Sequence, residues 1–336
     1  MTKPLVSIII PVFNAESYLQ QTLDSLCRQD YQNIEILCID DGSTDASSSI
    51  VNSYKEKDSR IIYIHQDNSG PGAARNHGIE LARGEFIVFQ DADDLLHPKT
   101  ISRMGDVAER YQADVAICGF QSCSDSLSDV DWNIDLTAEP EVVMGDLALA
   151  FQNSQKFRGH PWGKLYRRDT IGDIRFNNLR SGEDTCFNID IAARSKCFVV
   201  LSTPFYIYRQ VNASITHQAS HHANTIEAAK AIGLHCIELE RQGIISDKAM
   251  LALIRRYATN AICLHLLLMM DNESLSDEQR KSLLNLSNDI LQSLKSKMPF
   301  YANIYSWKYY WMYLTAVRLH SLAMLRLICK LRNLIL

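Results

Sequence analysis

This 336-residue sequence lacks the cysteine patterns of disulfide scaffolds and zinc sites. Its nine cysteines include no Cys-x-x-Cys pair and no spacing typical of zinc ligands. Their odd number, and their position in apolar runs such as the one around Cys38, argue against a secreted disulfide scaffold and indicate reduced, mostly buried thiols. The sequence also has no basic leader before an apolar segment, and no uncharged stretch approaches the roughly 20 residues of a membrane span. We therefore expect a cytoplasmic protein.

Positive charge is scarce in the first part of the chain. Residues 1–135 carry 22 acidic and 10 basic side chains, whereas residues 136–336 carry 17 acidic and 24 basic ones. The acidic first part argues against a nucleic-acid groove there, because such a groove needs clustered Lys and Arg side chains. The division of charge predicts different roles for the two parts of the chain.

The first 120 residues alternate between short apolar runs and segments with apolar residues at helical spacing. This alternation predicts an α/β fold with a mainly parallel sheet. The predicted strands cover residues 6–10, 34–39, 61–65, 85–90 and 115–118, and the predicted helices cover residues 16–29, 46–54, 72–82 and 98–111.

The remaining chain is less regular until about residue 221. Residues 121–135 are rich in Ser and Asp and are predicted to form a surface loop, and residues 140–210 mix helical and extended patterns. From residue 221 onward the pattern is helical throughout, over residues 224–241, 246–270, 276–296 and 302–334. We therefore divide the chain into residues 1–120, 121–220 and 221–336.

Polar segments follow the first four predicted strands, at residues 11–14, 40–45, 66–72 and 91–94. In an open parallel sheet these segments meet at one edge, where ligands bind. Several carboxylates gathered there would repel each other unless a cation or hydrogen-bond donors offset them. This arrangement predicts a divalent cation at the edge.

The last of these segments contains Asp91-Ala92-Asp93-Asp94. We predict that it is extended, so that Asp91 and Asp93 face one way. Two carboxylates on one side suit Mg²⁺ or Mn²⁺, which complete their coordination with substrate phosphates. The alternative is a turn that caps the following helix, and this is the interpretation that we favour for Asp94.

Two other segments carry groups suited to a nucleotide. A carboxylate only accepts hydrogen bonds, so Asp41 is suited to an N–H on a base edge, such as the imide of uracil or thymine. Arg75 follows small residues at the start of a predicted helix, where anions are favoured, and it can reach a nucleotide or phosphate. The alternatives are a structural turn at residues 40–45 and a surface ion pair for Arg75.

Four segments together resemble the nucleotide-sugar domain of family 2 glycosyltransferases. They are VSIIIPVFN at residues 6–14, IDDGSTD at 39–45, NSGPGAARN at 68–76 and FQDADD at 89–94. All four occur in the order and spacing of that family. PWGKLY at 161–166, SGEDTCF at 181–187 and YIYR at 206–209 resemble its bacterial polysaccharide branch, and nothing after about residue 220 contributes.

The resemblance implies a GT-A fold, a UDP-sugar or less often a dTDP-sugar donor, and inversion at the anomeric carbon. It implies that Asp41 reads the uracil and that Arg75 lies near the nucleotide. It also implies that Asp93 binds the metal and that Asp91 contacts either the ribose or the metal. The donor-binding residues that it implies are Pro11, Val12, Asn14, Asp41, Arg75, Asp91, Ala92 and Asp93.

The resemblance also implies that Asp184, in the pair Glu183-Asp184, is the catalytic base. A sugar hydroxyl is a poor nucleophile near neutral pH, and a carboxylate that takes its proton typically contributes about 10²–10⁴-fold. The pair precedes an apolar helical pattern, so the alternative is a helix-capping role worth roughly 0.3–1 kcal/mol. Direct displacement by the hydroxyl needs no nucleophile from the protein.

Acceptor binding is predicted less sharply. Trp162 is suited to stacking on a sugar and Lys164 to contacting an acceptor phosphate, with Glu183 nearby; the alternative is a core Trp with a buried Lys stem. Residues 302–334 combine aromatic side chains with a basic row. This segment is predicted either to bind an anionic membrane surface or to pack on the catalytic domain or on a second subunit in a homodimer.

The predicted function is therefore an inverting glycosyltransferase that moves a sugar from a UDP-sugar to a hydroxyl of a glycan acceptor, such as a lipid-linked oligosaccharide, in cell-surface polysaccharide synthesis. Residues 1–120 would bind the nucleotide-sugar, 121–220 the acceptor with the base, and 221–336 would be a helical region with a basic tail. We expect Mn²⁺ or Mg²⁺ as cofactor, no nucleic acid, and a cytoplasmic protein that is peripheral on the inner membrane face. The alternatives are a sugar-phosphate nucleotidyltransferase and a non-catalytic nucleotide-sugar-binding scaffold.

Overall fold

The structure is a computed structural model that describes residues 3–144, 159–179, 182–211 and 219–246, together with 276–278, 281–282 and 284–285. The chain divides into two compact units. The first comprises Met1–Asn178 and Glu183–Asn212, and the second comprises Leu179–Gly182 and Ala213–Leu336.

The described part of the first unit is built around one sheet of nine strands. The strands are β1 Val6–Val12, β2 Ile34–Asp41, β3 Ile61–Gln66, β4 Phe86–Phe89, β5 Leu95–Leu96, β6 Val115–Cys123, β7 Glu141–Met144, β8 Lys164–Arg167 and β9 Cys197–Arg209. Their order across the sheet is β3-β2-β1-β4-β8-β6-β9-β5, and β7 pairs with β9.

Six helices accompany these strands in the described part of the unit. They are α1 Leu19–Cys27, α2 Ser47–Lys55, α3 Pro71–Leu81, α4 Thr100–Tyr111, α5 Arg168–Ile171 and α6 Glu183–Arg194. Each of the four helices predicted within the first 120 residues overlaps one of α1 to α4, and α1 begins and ends inside its predicted range. The helical spacing of apolar residues therefore located these elements correctly.

The first four predicted strands form the parallel half of the sheet. In β1 six of the seven residues are buried, which is typical of a central strand covered on both faces. Val6 pairs with Ile34 of β2 and with Phe86 of β4, so these parallel strands begin at the same level of the sheet. Their carboxyl ends consequently lie at one edge, as the alternating pattern predicted.

The second half of the sheet contains antiparallel pairs. Strand β8 lies between β4 and β6 and is antiparallel to both, whereas β6 and β9 are parallel. The predicted boundary at residue 120 falls inside β6, so residues on either side of it share one sheet. The sheet is therefore mixed, and the segments predicted to bind the donor and to carry the base belong to one compact unit.

The described part of the second unit consists mainly of helix α7, Ala219–Arg241, which confirms the helix predicted over residues 224–241. Its side chains Ala228, Ile232, Cys236 and Leu239 are buried at helical spacing. No described helix is long and apolar enough to cross a membrane. The helices predicted over 246–270 and 302–334, and most of 276–296, lie outside the described residues.

Candidate active site

The loops after β1 and β2 are joined by Asn14. Its backbone N–H donates to Oγ of Ser43 at 3.1 Å, and its Oδ1 accepts from the N–H of Thr44 at 2.9 Å. Asn14 has a φ of 48°, a left-handed conformation that Asn tolerates better than most residues. Pro11 and Val12 lie beside this junction because they pair with residues 39 and 40 of β2.

Asp41, at the end of β2, joins its strand to the segment after β3. Its carboxylate accepts from Nε2 of Gln66 at 2.7 Å and from the N–H groups of Ser69 and Gly70, both at 2.8 Å. Gly70 has a φ of 89° and directly precedes α3, which begins with Pro71. The second and third predicted loops therefore meet at Asp41, and the sequence patterns had not singled out Gln66.

The Asp91–Asp94 segment is a turn, so the prediction that it is extended is wrong. Strand β4 ends at Phe89, and the N–H of Asp94 donates back to the carbonyl of Asp91 at 3.3 Å. The carbonyl of Ala92 accepts from Oγ1 of Thr22 at 2.8 Å. Tertiary contacts impose this turn, because the Asp94 carboxylate is anchored on β9 rather than facing the edge.

Asp94 and Arg209 form this anchor, which the sequence patterns did not identify. The Asp94 carboxylate accepts from the Tyr206 hydroxyl at 2.6 Å and from the N–H of Arg209 at 2.8 Å. The Arg209 guanidinium donates to the carbonyl of Asp93 at 2.9 Å and to Oε1 of Gln21 at 2.6 Å. The available signal was the Arg that ends the aromatic YIYR segment.

Arg75 brings the two halves of the predicted site together. One terminal nitrogen donates to Asp184 at 2.9 Å and the other donates to Asp91 at 3.0 Å. Arg75 is only 5% exposed, so it is not the surface Arg that the alternative interpretation proposed. The carboxylate after β4 and the carboxylate at the start of α6 consequently face the same guanidinium.

Burial and neighbouring charges change how the acidic side chains titrate. Burial raises the pKa of Asp184 to about 7, against the opposing charge of Arg75, and Glu183 and Asp91 add to the rise. Burial, followed by the charge of Asp91, raises the pKa of Asp93 to about 6. The pKa values of both side chains therefore lie closer to neutral pH than the pKa of an ordinary carboxyl group does.

Asp91 and Asp93 are the residues on which the fit of a metal ion can be tested. Among the described residues, no side chain hydrogen-bonds to the Asp93 carboxylate, and Asp91 uses one oxygen for Arg75. Hard oxygen donors of this kind are what Mg²⁺ and Mn²⁺ prefer. Burial is the main cause of the raised pKa of Asp93, and a cation would relieve the repulsion from Asp91 that adds to it. The described residues contain no cluster of three or more His, Cys, Asp or Glu side chains able to hold a metal. By their chemistry, the two carboxylates of Asp91 and Asp93 suit an ion that takes one or two protein carboxylates and completes its coordination with substrate phosphates.

Glu183 and Asp184 occupy the first turn of α6, as the helical pattern predicted. The start of this helix is tied to residue 159 by Asn188, whose Nδ2 donates to the carbonyls of both Asp184 and Gly159 at 2.9 Å. The position of Asp184 is thereby fixed from Arg75 on one side and from its own helix on the other.

Trp162 and Lys164 are buried instead of open to a ligand. The rings of His160 and Tyr206 stack on Trp162 with centroids 3.4 and 4.3 Å away, distances at which they must cover opposite faces. Lys164 is 1% exposed and donates to the carbonyl of His160. A sugar has no open face of Trp162 to stack on in this arrangement, so the structure matches the alternative of a core Trp.

The mixed α/β sheet and its helices have the GT-A class of fold, as the comparison with solved structures shows. Residues 1–349 of TarS from S. aureus, solved in complex with UDP, superpose with a TM-score of 0.71 at 21% identity, covering 99% of this chain and 92% of that one. The mannosyltransferase PcManGT from Pyrobaculum calidifontis, solved with GDP-Man and Mn²⁺, gives a TM-score of 0.53 at 18% identity, covering 99% and 88%. The predicted fold class is confirmed.

The chain belongs to glycosyl transferase family 2, whose family model matches residues 7–175. A similar relative is EpsJ of Bacillus subtilis, described as an uncharacterized glycosyltransferase, which is 35% identical over 220 residues. That match covers 63% of this chain and 63% of EpsJ, so the chain spans less than two thirds of that relative. The resemblance of the four sequence segments to this family is thereby confirmed.

Proposed function

We propose that the protein is an inverting glycosyltransferase that moves a sugar from a UDP-sugar to a hydroxyl group of a glycan acceptor in cell-surface polysaccharide synthesis. The observation that carries the proposal is the Arg75 guanidinium, which hydrogen-bonds both Asp91 and Asp184. A carboxylate suited to the donor side and a carboxylate suited to the acceptor side are therefore held within reach of one substrate.

Asp184 is the general base in this proposal. Oδ1 accepts from Arg75, which leaves the second oxygen to take the proton of the acceptor hydroxyl. A pKa of about 7 suits a base that works near neutral pH. As the proton moves to Asp184, the acceptor oxygen bonds to the anomeric carbon and the bond to the diphosphate breaks, which releases UDP and inverts the centre.

The donor side uses the strand-end loops. Asp41 accepts the imide N–H of uracil, with Pro11, Val12 and Asn14 beside the uridine. The complexes of TarS with UDP and with UDP-GlcNAc support a nucleotide-sugar donor. Asp93 and Asp91 would hold Mn²⁺ or Mg²⁺, and such an ion, when bound, neutralises charge on the diphosphate leaving group.

The experiment is a panel of UDP-sugars with Mn²⁺ and the full chain, scored by UDP release. We expect one preferred donor, loss of activity on chelation, and an Asp184→Asn variant that still binds UDP but turns over about 10²–10⁴-fold more slowly. Asp106→Asn is the matched control, because Asp106 lies on α4 in an exposed ion pair with Lys3 and should leave turnover unchanged.

Two results would contradict the proposal. Near-normal transfer by Asp184→Asn would remove Asp184 from the role of base. Wild-type protein that binds UDP-sugars but releases no UDP with any acceptor preparation would favour the non-catalytic scaffold.

A further inference from the structure

The Asp41 carboxylate is already occupied on one side by the protein. Its Oδ1 accepts two hydrogen bonds, from Nε2 of Gln66 at 2.7 Å and from the N–H of Ser69 at 2.8 Å, and its Oδ2 accepts one, from the N–H of Gly70 at 2.8 Å. An ionised carboxylate offers about four acceptor positions, two on each oxygen. With respect to the residues that the structure describes, Oδ1 is therefore full, whereas Oδ2 keeps one position.

The Gln66 amide is held in one orientation by His77 of α3. Oε1 of Gln66 lies 2.8 Å from Nδ1 of His77. Because the carboxylate of Asp41 cannot donate, the group that faces it must be the NH₂ of Gln66, and Oε1 then accepts from Nδ1–H of His77. A flipped amide would set Oε1 against Oδ1 of Asp41 and would lose the hydrogen bond to that carboxylate.

We propose that Gln66, held by His77, makes Asp41 selective for a base that donates a single N–H, and that it thereby excludes guanine. This inference rests on the proposed function, in which Asp41 meets the nucleobase. The imide of uracil presents one N–H between two carbonyls, which matches the single open position on Oδ2. Gln66 is thus a specificity-determining residue, and His77 is a positioning residue that acts through it.

Guanine and cytosine fail for different reasons. Guanine presents two adjacent N–H groups, from its ring nitrogen and its exocyclic amine, and they pair with both oxygens of a carboxylate. The second pairing needs a position on Oδ1 that Gln66 occupies, so one guanine donor stays unpaired. Cytosine presents a ring-nitrogen acceptor, which a carboxylate repels. An unpaired buried donor weakens binding on the order of tenfold or more.

The test measures the affinity of the full-length chain for UDP, GDP and CDP by calorimetry in the presence of Mn²⁺. The first variant is Gln66→Leu, which keeps the side-chain volume but removes the donor. The second is His77→Phe, which removes the hydrogen bond that holds the Gln66 amide and leaves Gln66 itself in place. The matched control is Gln32→Leu, because Gln32 precedes the opposite end of β2 and its amide donates to the carbonyl of Gln29.

We expect the wild-type protein to prefer UDP over GDP by about tenfold or more. Gln66→Leu should reduce this ratio about tenfold by tightening GDP binding, and His77→Phe should change it in the same direction by a smaller factor. CDP binding should stay weak in every variant, since the Asp41 carboxylate still repels the ring-nitrogen acceptor of cytosine. Gln32→Leu should leave the UDP-to-GDP ratio as it is in the wild type.

Three outcomes would overturn the inference, and they separate it from the proposed function. If the wild type binds UDP and GDP equally, or if folded Gln66→Leu and His77→Phe keep the wild-type ratio, then the selectivity does not depend on Gln66 although the nucleotide site stands. If the wild type binds no nucleoside diphosphate, the proposed function fails together with the inference. Circular dichroism establishes that each variant is folded, and His77→Phe provides the answer if Gln66→Leu does not fold.

Discussion

At the scale of single residues, Arg75 controls the charge of the site. Burial would lower the pKa of this guanidinium, but the carboxylates of Asp184 and Asp91 raise it well above its ordinary value, so it stays charged. Breaking such a buried pair by removing one partner typically costs about 3–5 kcal/mol, because the remaining charge is left uncompensated. Arg75 therefore both stabilises the fold and keeps Asp184 able to ionise.

The pH dependence of transfer should report Asp184. Because burial raises the pKa of this group to about 7, and only the ionised form accepts a proton, kcat/KM should fall about tenfold per pH unit below about pH 7. The measurement is kcat/KM between about pH 5 and about pH 9 at saturating Mn²⁺. A flat profile below neutral pH would contradict the assignment of Asp184.

Replacing Arg75 tests what sets the fall in kcat/KM on the acidic side of the pH profile, which we call the acidic limb. Arg75 opposes the rise in the pKa of Asp184, so Arg75→Gln should move the limb to higher pH while also lowering the free energy of unfolding. Arg110→Gln on α4 is the control, because Arg110 is exposed, its guanidinium lies over the Tyr111 ring, and its replacement should move neither quantity. A limb that stays at the wild-type pH in Arg75→Gln would show that the guanidinium does not set it.

At the scale of secondary structure elements, the contact between α3 and β1 positions Arg75. This contact needs a glycine at position 78, since a Cβ there would lie 2.3 Å from Cγ2 of Ile9. Ile9 is fully buried in β1, so it has no open space to move into. The helix that carries Arg75 can approach the sheet closely only because Gly78 has no side chain.

Two glycines in helices should therefore respond in opposite directions to the same substitution. Gly78→Ala should lower the free energy of unfolding by about 1–3 kcal/mol through overpacking. Gly105→Ala in α4 should raise it by about 0.5–1 kcal/mol, because its Cβ would meet the Tyr31 ring at an ordinary 3.7 Å and the helix loses a flexible residue. The measurement is chemical denaturation of both variants, and stabilisation by Gly78→Ala would contradict the close approach.

The elements of the antiparallel half were the hardest to predict. In β8 three of four residues are buried and in β9 ten of thirteen are, so neither strand shows the clean alternation of a half-exposed strand. Periodicity also does not name a partner strand, and β8 pairs with β4, which lies far from it in sequence. The sequence accordingly indicated extended segments between residues 140 and 210 without their order in the sheet.

At the scale of the whole molecule, the division of charge is the sequence feature behind the predicted membrane contact. Residues 1–135 are strongly acidic, and the last acidic residue of the chain is Asp289. The basic row Arg318, Arg326 and Lys330 follows at helical spacing. These three residues lie outside the described part of the structure, and their contact with an anionic membrane stays a prediction from sequence.

Reversing that row should weaken membrane binding. A full-length variant with Arg318→Glu, Arg326→Glu and Lys330→Glu should lose sedimentation with anionic vesicles, since each basic residue near such a surface contributes about 1 kcal/mol. Sedimentation with zwitterionic vesicles serves as the control and should be low for both proteins. Equal sedimentation of the variant and the wild type with anionic vesicles would favour packing on the catalytic domain or on a second subunit.

Local sequence patterns were enough to identify which residues stand at the strand ends. Apolar periodicity located β1 to β4 and α1 to α4, and the topology of a parallel sheet then required the polar segments that follow those strands to share an edge. This local reasoning was sufficient to place Asn14 and Asp41 at the strand ends and Asp184 at the start of α6, because strand and helix patterns depend on residues close in sequence.

The tertiary structure alone decided which of these groups meet. Arg75 and Asp184 are 109 residues apart, and no local pattern encodes a contact at that separation. Packing also turned the Asp91–Asp94 segment by anchoring Asp94 on β9, and it covered both faces of Trp162 with other rings. Side-chain contacts between distant segments depend on how the elements pack, which is why the geometry of the site required the folded molecule.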